Sequence, residues 1–572
     1  MDRLHSQRAM VTCARSVRDL LLMREFASSR LNPSIFGQSD IYEYTSGRWL
    51  WNEKLRLHER RRPFNVQELK SLAAASVSRE LKDIVSFKKL AEGGFNRTFL
   101  VSMQDGLEMI ARIPYLTTEP RQLLVASEVA TMDYLRSRGV PIPTIFGYSA
   151  TANNPAGTEY VFMEVTAGTN LGNIWYQLGE AARTTVVRRL VELESQLLSL
   201  KFPASGSIYY CRDLDAASDR VAFDSGSCST NGPFCIGPDT TLALWYGNRL
   251  ALDVFRGPYR DANDVLEAGA RKEIAYLMRH GRPLHPFQRI RREWVNYQQQ
   301  SHLDRLEYLG KFLRIASSLA PSKRDDATQA WIRHPDLQPN NIFVSKDLEI
   351  TGLIDWQHCA ILPLFLQAGI PASLQNYGDE VSESLQEPRL PLNFDQQSET
   401  EQLQQVLLLR KRQLHYTYVK ETLSLNPAHG RILMDRFSTL TRKLFRHASE
   451  PWEGDSSPLK ADLVELSRHL SGTDPDARTT RSGLPFEFSE EEARETLSLA
   501  HAMETADGQF QSCLEVVGVG PEGWVPVEQY ADARQRAQQL KADTLQEAES
   551  EEERSQIRDH WIFDDFDETE YM

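Results

Sequence analysis

The amino-acid sequence predicts an α+β chain of two unequal lobes, a small β-rich one followed by a larger, mainly helical one. Three observations carry this. Short strand patterns separated by glycine and proline turns crowd into residues 87–168. Apolar residues recur at helical spacing through Glu180–Glu194, from Glu399 to about His447, and from Leu459 to Leu470. Between the helical stretches, a polar loop from His334 leads into two short apolar strands that end at Asp355. At 572 residues the chain is expected to hold roughly two to four domain-sized units.

Residues 1–40 form a candidate mitochondrial targeting segment. Arg3, Arg8, Arg15, Arg18, Arg24 and Arg30 alternate with Val11, Ala14, Val17 and Leu21 at helical spacing. Asp2, Asp19 and Glu25 stand against it, since such peptides are acid-poor, and an ordinary amphipathic helix is the alternative. The location expected is mitochondrial, or otherwise cytoplasmic; the apolar run Leu20–Met23 is too short for a secretory signal. An N-terminal extension follows over 41–85. In it Trp49 and Trp51 are expected to pack on the body of the protein, and Arg60-Arg61-Arg62 to form a solvated helix end.

The small lobe spans 86–168. Phe87–Val101 reads as two strands around a Gly93-Gly94 turn, where the missing Cβ atoms let a backbone approach a ligand closely. Leu107–Pro114 is the next strand and carries Arg112; Glu128 is expected to open a helix. Gly139–Tyr148 and Glu159–Gly168 supply two further strands, the first entered through a proline turn. The large lobe spans 169–505. It is interrupted by a loop-rich stretch, Ser205–Thr240, in which the turns Phe234–Thr241 and Phe255–Tyr259 are candidates to line an acceptor pocket. Residues 506–572 form a C-terminal extension with an acidic tail, whose Trp561, Ile562, Phe563 and Phe566 have the character of docking residues.

The chemistry concentrates in His334-Pro-Asp-Leu-Gln-Pro-Asn-Asn-Ile-Phe-Val and Gly352-Leu-Ile-Asp-Trp-Gln-His358. In phosphoryl transfer, a loop Asp orients the acceptor hydroxyl, an Asn five positions on binds a metal ion, and an Asp after the next strand binds the ion bridging the phosphates. Asp336, Asn341 and Asp355 stand at those places. Pro339 helps set the turn, and Ile342–Val344 with Ile350–Leu353 is expected to form the hairpin that brings Asn341 and Asp355 to one mouth. His334 is expected to brace the loop backbone. Asp, Asn and Pro are common in turns; the Ile-Asp-Trp strand end at the right distance is what makes the combination specific.

On these motifs the chain resembles the aminoglycoside phosphotransferase and choline kinase-like family, with Pro335 where that family usually has Gly. Together with the Ser46-Gly-Arg-Trp-Leu-Trp-Asn-Glu53 block it resembles a fungal branch, the altered inheritance of mitochondria protein 9 group. The resemblance implies a bilobal protein kinase-like fold with ATP and Mg as cofactors. It places Gly93 and Gly94 over the phosphates, Arg112 against them and paired with Glu128, and the backbone from Met163 to Val165 against the adenine. Arg112 stands where protein kinases have Lys, and a planar guanidinium contacts phosphate differently from an ammonium.

The function expected is ATP-dependent transfer of the γ-phosphate to a hydroxyl of a small molecule. The alternative is a catalytically weak or inactive kinase-like protein serving mitochondrial maintenance. A metal-dependent hydrolase using His334, Asp336, Asp355 and His358 is a third reading. A net charge of −14 speaks against a general nucleic-acid binder, and no apolar run approaches the ~20 residues of a membrane span. The six cysteines show no Cys-x-x-Cys pair, so free thiols are expected and a structural zinc site is not.

Overall fold

A computed structural model describes residues 41–223, 233–322, 325–471 and 484–572. The candidate targeting segment lies outside the described residues. The extension contributes β1 (Gly47–Trp49), α1 (Glu53–Arg60) and α2 (Val66–Ser76), the last capped by the Asn65 side chain, which accepts from the N–H groups of Gln67 and Glu68.

The small lobe is an antiparallel five-stranded sheet of β2 (Ile84–Glu92), β3 (Asn96–Met103), β4 (Glu108–Pro114), β5 (Ile145–Ser149) and β6 (Tyr160–Glu164), in the order β2-β3-β4-β6-β5. Period-2 alternation buries Met109, Ala111 and Ile113 with Phe99, Val101, Phe64 and Leu69, while Arg112 sits on the opposite face. That face meets helix α3 (Arg121–Ser137). Glu128 therefore lies mid-helix and does not open it: Pro120 marks the entry, and the residues after Arg121 readily continue the helix.

The large lobe begins with β7 (Thr169–Asn170) and α4 (Glu180–Ser199). The stretch expected to be loop-rich instead holds a small sheet of β8 (Ser207–Tyr210), β9 (Val221–Ala222) and β10 (Phe234–Gly237). Phe234–Gly237 is thus a strand and not a turn. Its residues pack against α3, with the Phe234 and Tyr134 rings 5.5 Å apart. Helices α5 (Ala262–His280) and α6 (His302–Leu319) follow. Within this lobe Arg249, Lys272 and Glu273 are wholly buried, with Arg249 Nη2 2.6 Å and Lys272 Nζ 2.8 Å from the Glu273 carboxylate.

Strand β11 (Ala330–Ile332) pairs with β14 (Ile361–Pro363), and between them β12 (Ile342–Val344) and β13 (Ile350–Leu353) form the expected hairpin. Beyond lie α7 (Glu399–Leu425), α8 (Pro427–Met434), α9 (Arg436–Ser449), α10 (Ser457–Leu470) and α11 (Glu490–Val517). The helical run expected from Glu399 to His447 is broken twice. Pro427, lacking an N–H, starts α8, and Asp435 caps α9 by accepting from the Ser438 N–H at 2.7 Å.

The C-terminal extension adds β15 (Trp524–Pro526), α12 (Tyr530–Glu547) and α13 (Glu551–Asp559). It is zippered to the N-terminal one, because β1 pairs antiparallel with β15. Trp49 packs with Tyr44 and with Tyr115 of the small lobe, whereas Trp51 joins Leu514, Val517, Trp561 and Phe563 in a separate apolar cluster of the C-terminal extension. The tail docks as its aromatic residues suggest.

The arginine run is not a solvated helix end. Arg60 and Arg62 are buried: Arg60 lies 4.7 Å over the Trp49 ring, and Arg62 pairs with Glu159 and donates to Thr158 at 3.0 Å. Only Arg61 faces outward, 2.8 Å from Glu43. The acidic tail is likewise partly internal, with Glu568 2.6 Å from Arg56. No helix among the described residues is long and apolar enough to cross a membrane. Cys211, Cys235, Cys359 and Cys513 are in no disulfide.

Candidate active site

The β12–β13 hairpin sets the site. Ile354, at its end, donates its N–H to the carbonyl of Asn341 at 3.0 Å, so the residue before Asp355 is stitched to Asn341. Asp355 adopts φ +67° and His358 φ +59°, left-handed conformations that non-glycine residues rarely hold. They turn the chain sharply around the metal-binding candidate, and such conformations cluster at functional sites.

The Asp336 loop closes on itself. The N–H of Gln338 donates to the Asp336 carbonyl, and that of Asn341 to the Gln338 carbonyl, both at 3.0 Å. Asn341 Nδ2 donates to the carbonyl and to Oδ2 of Asp336, at 2.9 and 3.1 Å. Gln338 Nε2 also donates to Oδ2, at 2.5 Å. One carboxylate oxygen of Asp336 is therefore anchored and the other left to accept, while Asn341 has its nitrogen engaged and its oxygen available as a ligand.

His334 braces this loop. Its Nε2–H donates to the Ile354 carbonyl at 2.9 Å and its Nδ1 accepts from the Asp336 N–H at 3.1 Å. Burial lowers its pKa, so the ring is the neutral donor-and-acceptor form that these bonds need. With both nitrogens occupied it is no metal ligand, and among the described residues no group of three or more His, Cys, Asp or Glu could hold a metal ion. The hydrolase reading loses its ligand set. Pro335 is accommodated because the loop bonds run through Asp336 and Gln338. From below, Arg333 pins the loop to α4 and α7, donating to Glu194 at 2.7 Å and to the Tyr418 hydroxyl at 2.9 Å.

The small lobe reaches the same point. Arg112 pairs with Glu128 through Nη2 and lies 3.8 Å from Asp355 Oδ1 through Nη1. Burial pushes the Glu128 carboxyl up, to about 7, against the pull of Arg112. Asp355 Oδ1 is buried with no hydrogen-bond partner. A carboxylate oxygen without a hydrogen-bond partner, on a segment stitched to that of the Asn341 amide oxygen, suits a hard cation such as Mg, which is commonly held by one or two protein oxygens together with substrate phosphates.

The glycine turn hangs over this cluster. A Cβ at Gly94 would meet no atom within 4 Å, and one at Gly93 only the Asn96 carbonyl at 3.7 Å. Neither glycine has the positive φ that would require it, so what glycine provides is open room at the turn. Two contacts tie the turn to the segment after Asp355: Asn96 Nδ2 donates to Gln357 Oε1 at 2.7 Å, and the Phe95 and His358 rings meet edge to face at 5.5 Å. Behind the turn, the buried Glu92 carboxylate accepts from the N–H groups of Thr45 and Ser46 at 2.8 and 2.9 Å. It also lies 2.9 Å from Lys89 and 3.0 Å from Arg97. Sequence reading missed Asn96, Gln357 and Glu92. Asn96 and Gln357 are 261 residues apart, and no local pattern links them.

At the strand leading to the large lobe, Met163 is buried and paired on both sides, with Ile110 and Ile145, and Glu164 gives its N–H to Thr144 at 2.8 Å. The peptide groups free to meet a ligand begin at Val165, one end of the expected Met163–Val165 stretch. The structure thus brings Asp336, Asn341, Asp355, Arg112 and Glu128 together under Gly93–Gly94, and leaves Met163 inside the sheet.

Residues 86–366 match the model of the phosphotransferase enzyme family. A subtelomeric hrmA-associated cluster protein of Aspergillus fumigatus is 29% identical over 495 residues, 81% of this chain and 93% of its own. Altered inheritance of mitochondria protein 9, mitochondrial, of Yarrowia lipolytica is 26% identical over 520 residues, covering 86% and 85%. Among solved structures, a streptomycin–ATP–APH(2")-IIa ternary complex aligns with a TM-score of 0.34 and 12% identity over 67% of this chain and 91% of its own. A Plasmodium vivax ethanolamine kinase aligns at 0.33 and 10%, over 75% and 85%. The match holds both loops and nearly all of the five-stranded sheet. Residues 86–366 belong to the phosphotransferase enzyme family.

Proposed function

We propose that this protein is an ATP-dependent phosphotransferase that moves the γ-phosphate to a hydroxyl of a small molecule. The observation that carries the reading is the meeting of Arg112, Glu128 and Asp355, an arrangement that joins the two lobes at one carboxylate. In this reading 86–168 is the nucleotide-binding lobe and 169–505 the helical lobe that holds the catalytic loop and acceptor. Residues 41–85 and 506–572 are extensions, and 1–40 is a targeting segment.

Asn341 and Asp355 would hold Mg, which, when bound, neutralises charge on the phosphates. Arg112, held by Glu128, presents its guanidinium to phosphate oxygens, and the Gly93–Gly94 turn covers them with backbone. The free peptide at Val165 offers the adenine an edge to bond. Asp336, one oxygen fixed by Asn341 and Gln338, directs the acceptor hydroxyl toward the γ-phosphorus and accepts its proton. Two relatives' features bear on location: the Yarrowia protein and others of its name are called mitochondrial, and this motivates assigning the same location here. A reporter fused to residues 1–40 tests that; cytosolic fluorescence would refute it.

The thermal midpoint with ATP, Mg and both tests the chemistry, because a ligand that binds only the folded state raises stability. A shift that needs both supports the reading. No shift at millimolar ligand favours the second reading, a kinase-like protein of weak or absent catalysis serving mitochondrial maintenance, to which Arg112 in place of Lys and Pro335 in place of Gly lend weight.

A further inference from the structure

Helix α9 forms one wall of a cleft of about 1220 Å³, and the segments around Asp239, Tyr259 and 367–378 line other parts of it. Two hydrogen bonds tie the walls of the cleft to the segments that carry the catalytic loops. Thr240, next to Asp239, accepts from His358 Nδ1 at 2.8 Å, three residues after Asp355. The Gln367 carbonyl accepts from Arg333, beside His334, at 2.7 Å. The size exceeds what one monosaccharide fills and is above the roughly 300–1,000 Å³ of common small-molecule sites.

Of the charged groups that line the cleft away from its exposed rim, Asp239 and Arg442 have no ion pair among the described residues. Asp239 is only 4% exposed; its Oδ1 accepts from the N–H and hydroxyl of Thr241, at 2.8 and 2.6 Å, and no cation pairs with it. Burial pushes its carboxyl up. Near it the Tyr259 hydroxyl is buried without any hydrogen-bond partner. Arg442 donates to the Thr439 hydroxyl at 2.8 Å and to the Ile432 carbonyl at 3.3 Å, and to no carboxylate. Burial holds its pKa down, to about 10. Other charges at the outer end compensate one another: Lys443 with Glu465 and Arg446 with Glu450, each at 3.6 Å. An unpaired charge in a desolvated wall is unfavourable until something of opposite charge arrives.

We propose that this cleft is the acceptor site and that it takes a hydroxylated acceptor carrying both charges, with an ammonium toward Asp239 and Tyr259 and a carboxylate or phosphate toward Arg442. The proposal rests on the phosphotransferase reading. In the transfer, the acceptor oxygen forms a bond to the γ-phosphorus, the bond from that phosphorus to the β,γ-bridging oxygen breaks, ADP departs, and the hydroxyl proton passes to the Asp336 carboxylate.

The test uses the full chain saturated with ADP and Mg, so that phosphate-bearing probes cannot enter the nucleotide site. Its thermal midpoint is titrated with glucosamine, gluconate, glucosaminate and glucosamine 6-phosphate. The expected result is that glucosaminate or glucosamine 6-phosphate binds at least tenfold more tightly than the singly charged sugars. Which of the two binds tells carboxylate from phosphate. Arg442→Gln and Asp239→Asn should each weaken that binding at least tenfold and Arg442→Lys should retain most of it, with the ADP–Mg shift read alongside as the control for folding. Equal binding of a singly charged sugar, no shift with any probe, or full binding by either neutral variant overturns the proposal. Loss of the ADP–Mg shift in the unmodified protein would instead overturn the phosphotransferase reading itself.

Discussion

Asn96 and Gln357 exchange amide hydrogen bonds between the two lobes, Nδ2 to Oε1 at 2.7 Å and Nε2 to Oδ1 at 3.4 Å. The first stands just past the glycine turn and the second just past Asp355, so the bond fixes the height of the turn above the phosphate position. Each such bond contributes about 0.5–1.5 kcal/mol net. Asn96→Ala is therefore expected to weaken ATP–Mg binding by about two- to tenfold in a fluorescence titration, and Gln357→Ala by a similar factor. The double variant should lose little more than either single one, because both remove the same contact. Additive losses would mean that the two side chains act separately.

Asp355 and Asp336 separate binding from transfer. Asp355→Asn should abolish the Mg-dependent part of the ATP thermal shift, since it removes the orphaned carboxylate oxygen beside Arg112. Asp336→Asn should leave that shift in place and lower turnover by about 10²–10⁴, the usual worth of a positioned proton acceptor. Equal loss of nucleotide binding from both, with the fold intact, would make Asp336 a structural residue.

Much of this site was legible because it is local. Asp336, Asn341 and Asp355 lie within one loop and one hairpin, so their spacing along the chain nearly determines their spacing in space. The pairing of Arg112 with Glu128 was readable from the order of strand and helix, although the start of α3 was not, since Pro120 rather than Glu128 marks it. What stayed hidden depends on distant partners. Arg60 and Arg62 read as solvated because nothing nearby in sequence announces Trp49 as a cover or Glu159 as a counter-charge. The strands β8 and β10 are four residues each in a Ser- and Gly-rich stretch, and only their burial against α3 selects strand over turn.

The ion pairs of the buried Glu273 carboxylate with Lys272 and Arg249 make the large lobe acid-sensitive. Burial alone would raise its pKa, but Lys272 and Arg249 hold the carboxyl down at about 2. A depressed pKa contributes stability that is present above the ordinary glutamate value and lost as pH falls toward 2. A shift of that size corresponds to about 3 kcal/mol. Urea unfolding should show Glu273→Gln less stable than the parent by about that amount at pH 7. The gap should narrow steadily from pH 5 to pH 3. A gap that is independent of pH would mean that packing, not charge, is what Glu273 supplies.

Glu92 links the extensions to the glycine turn. Its carboxylate accepts from Thr45, Ser46, Lys89 and Arg97, with the hydroxyl of Ser46 donating at 2.8 Å as well, and it immediately precedes Gly93. Residues 45 and 46 lead straight into β1, which is paired to β15 of the C-terminal extension. The glycine turn is thus held from behind by a strand whose own place depends on the last part of the chain. Glu92→Gln keeps the shape but leaves Lys89 and Arg97 without their shared charge, so the turn should loosen. The expected result is an increase in KM for ATP of about tenfold, the scale of one charge-assisted hydrogen bond, with KM for the acceptor unchanged. Trp524→Ala, far from the turn, should raise the same constant to a smaller extent by unseating β15, whose Trp524 Nε1 donates to the Tyr44 hydroxyl at 2.8 Å. If only Glu92→Gln has the effect, the carboxylate acts on the turn alone and the C-terminal extension has no hold on nucleotide binding.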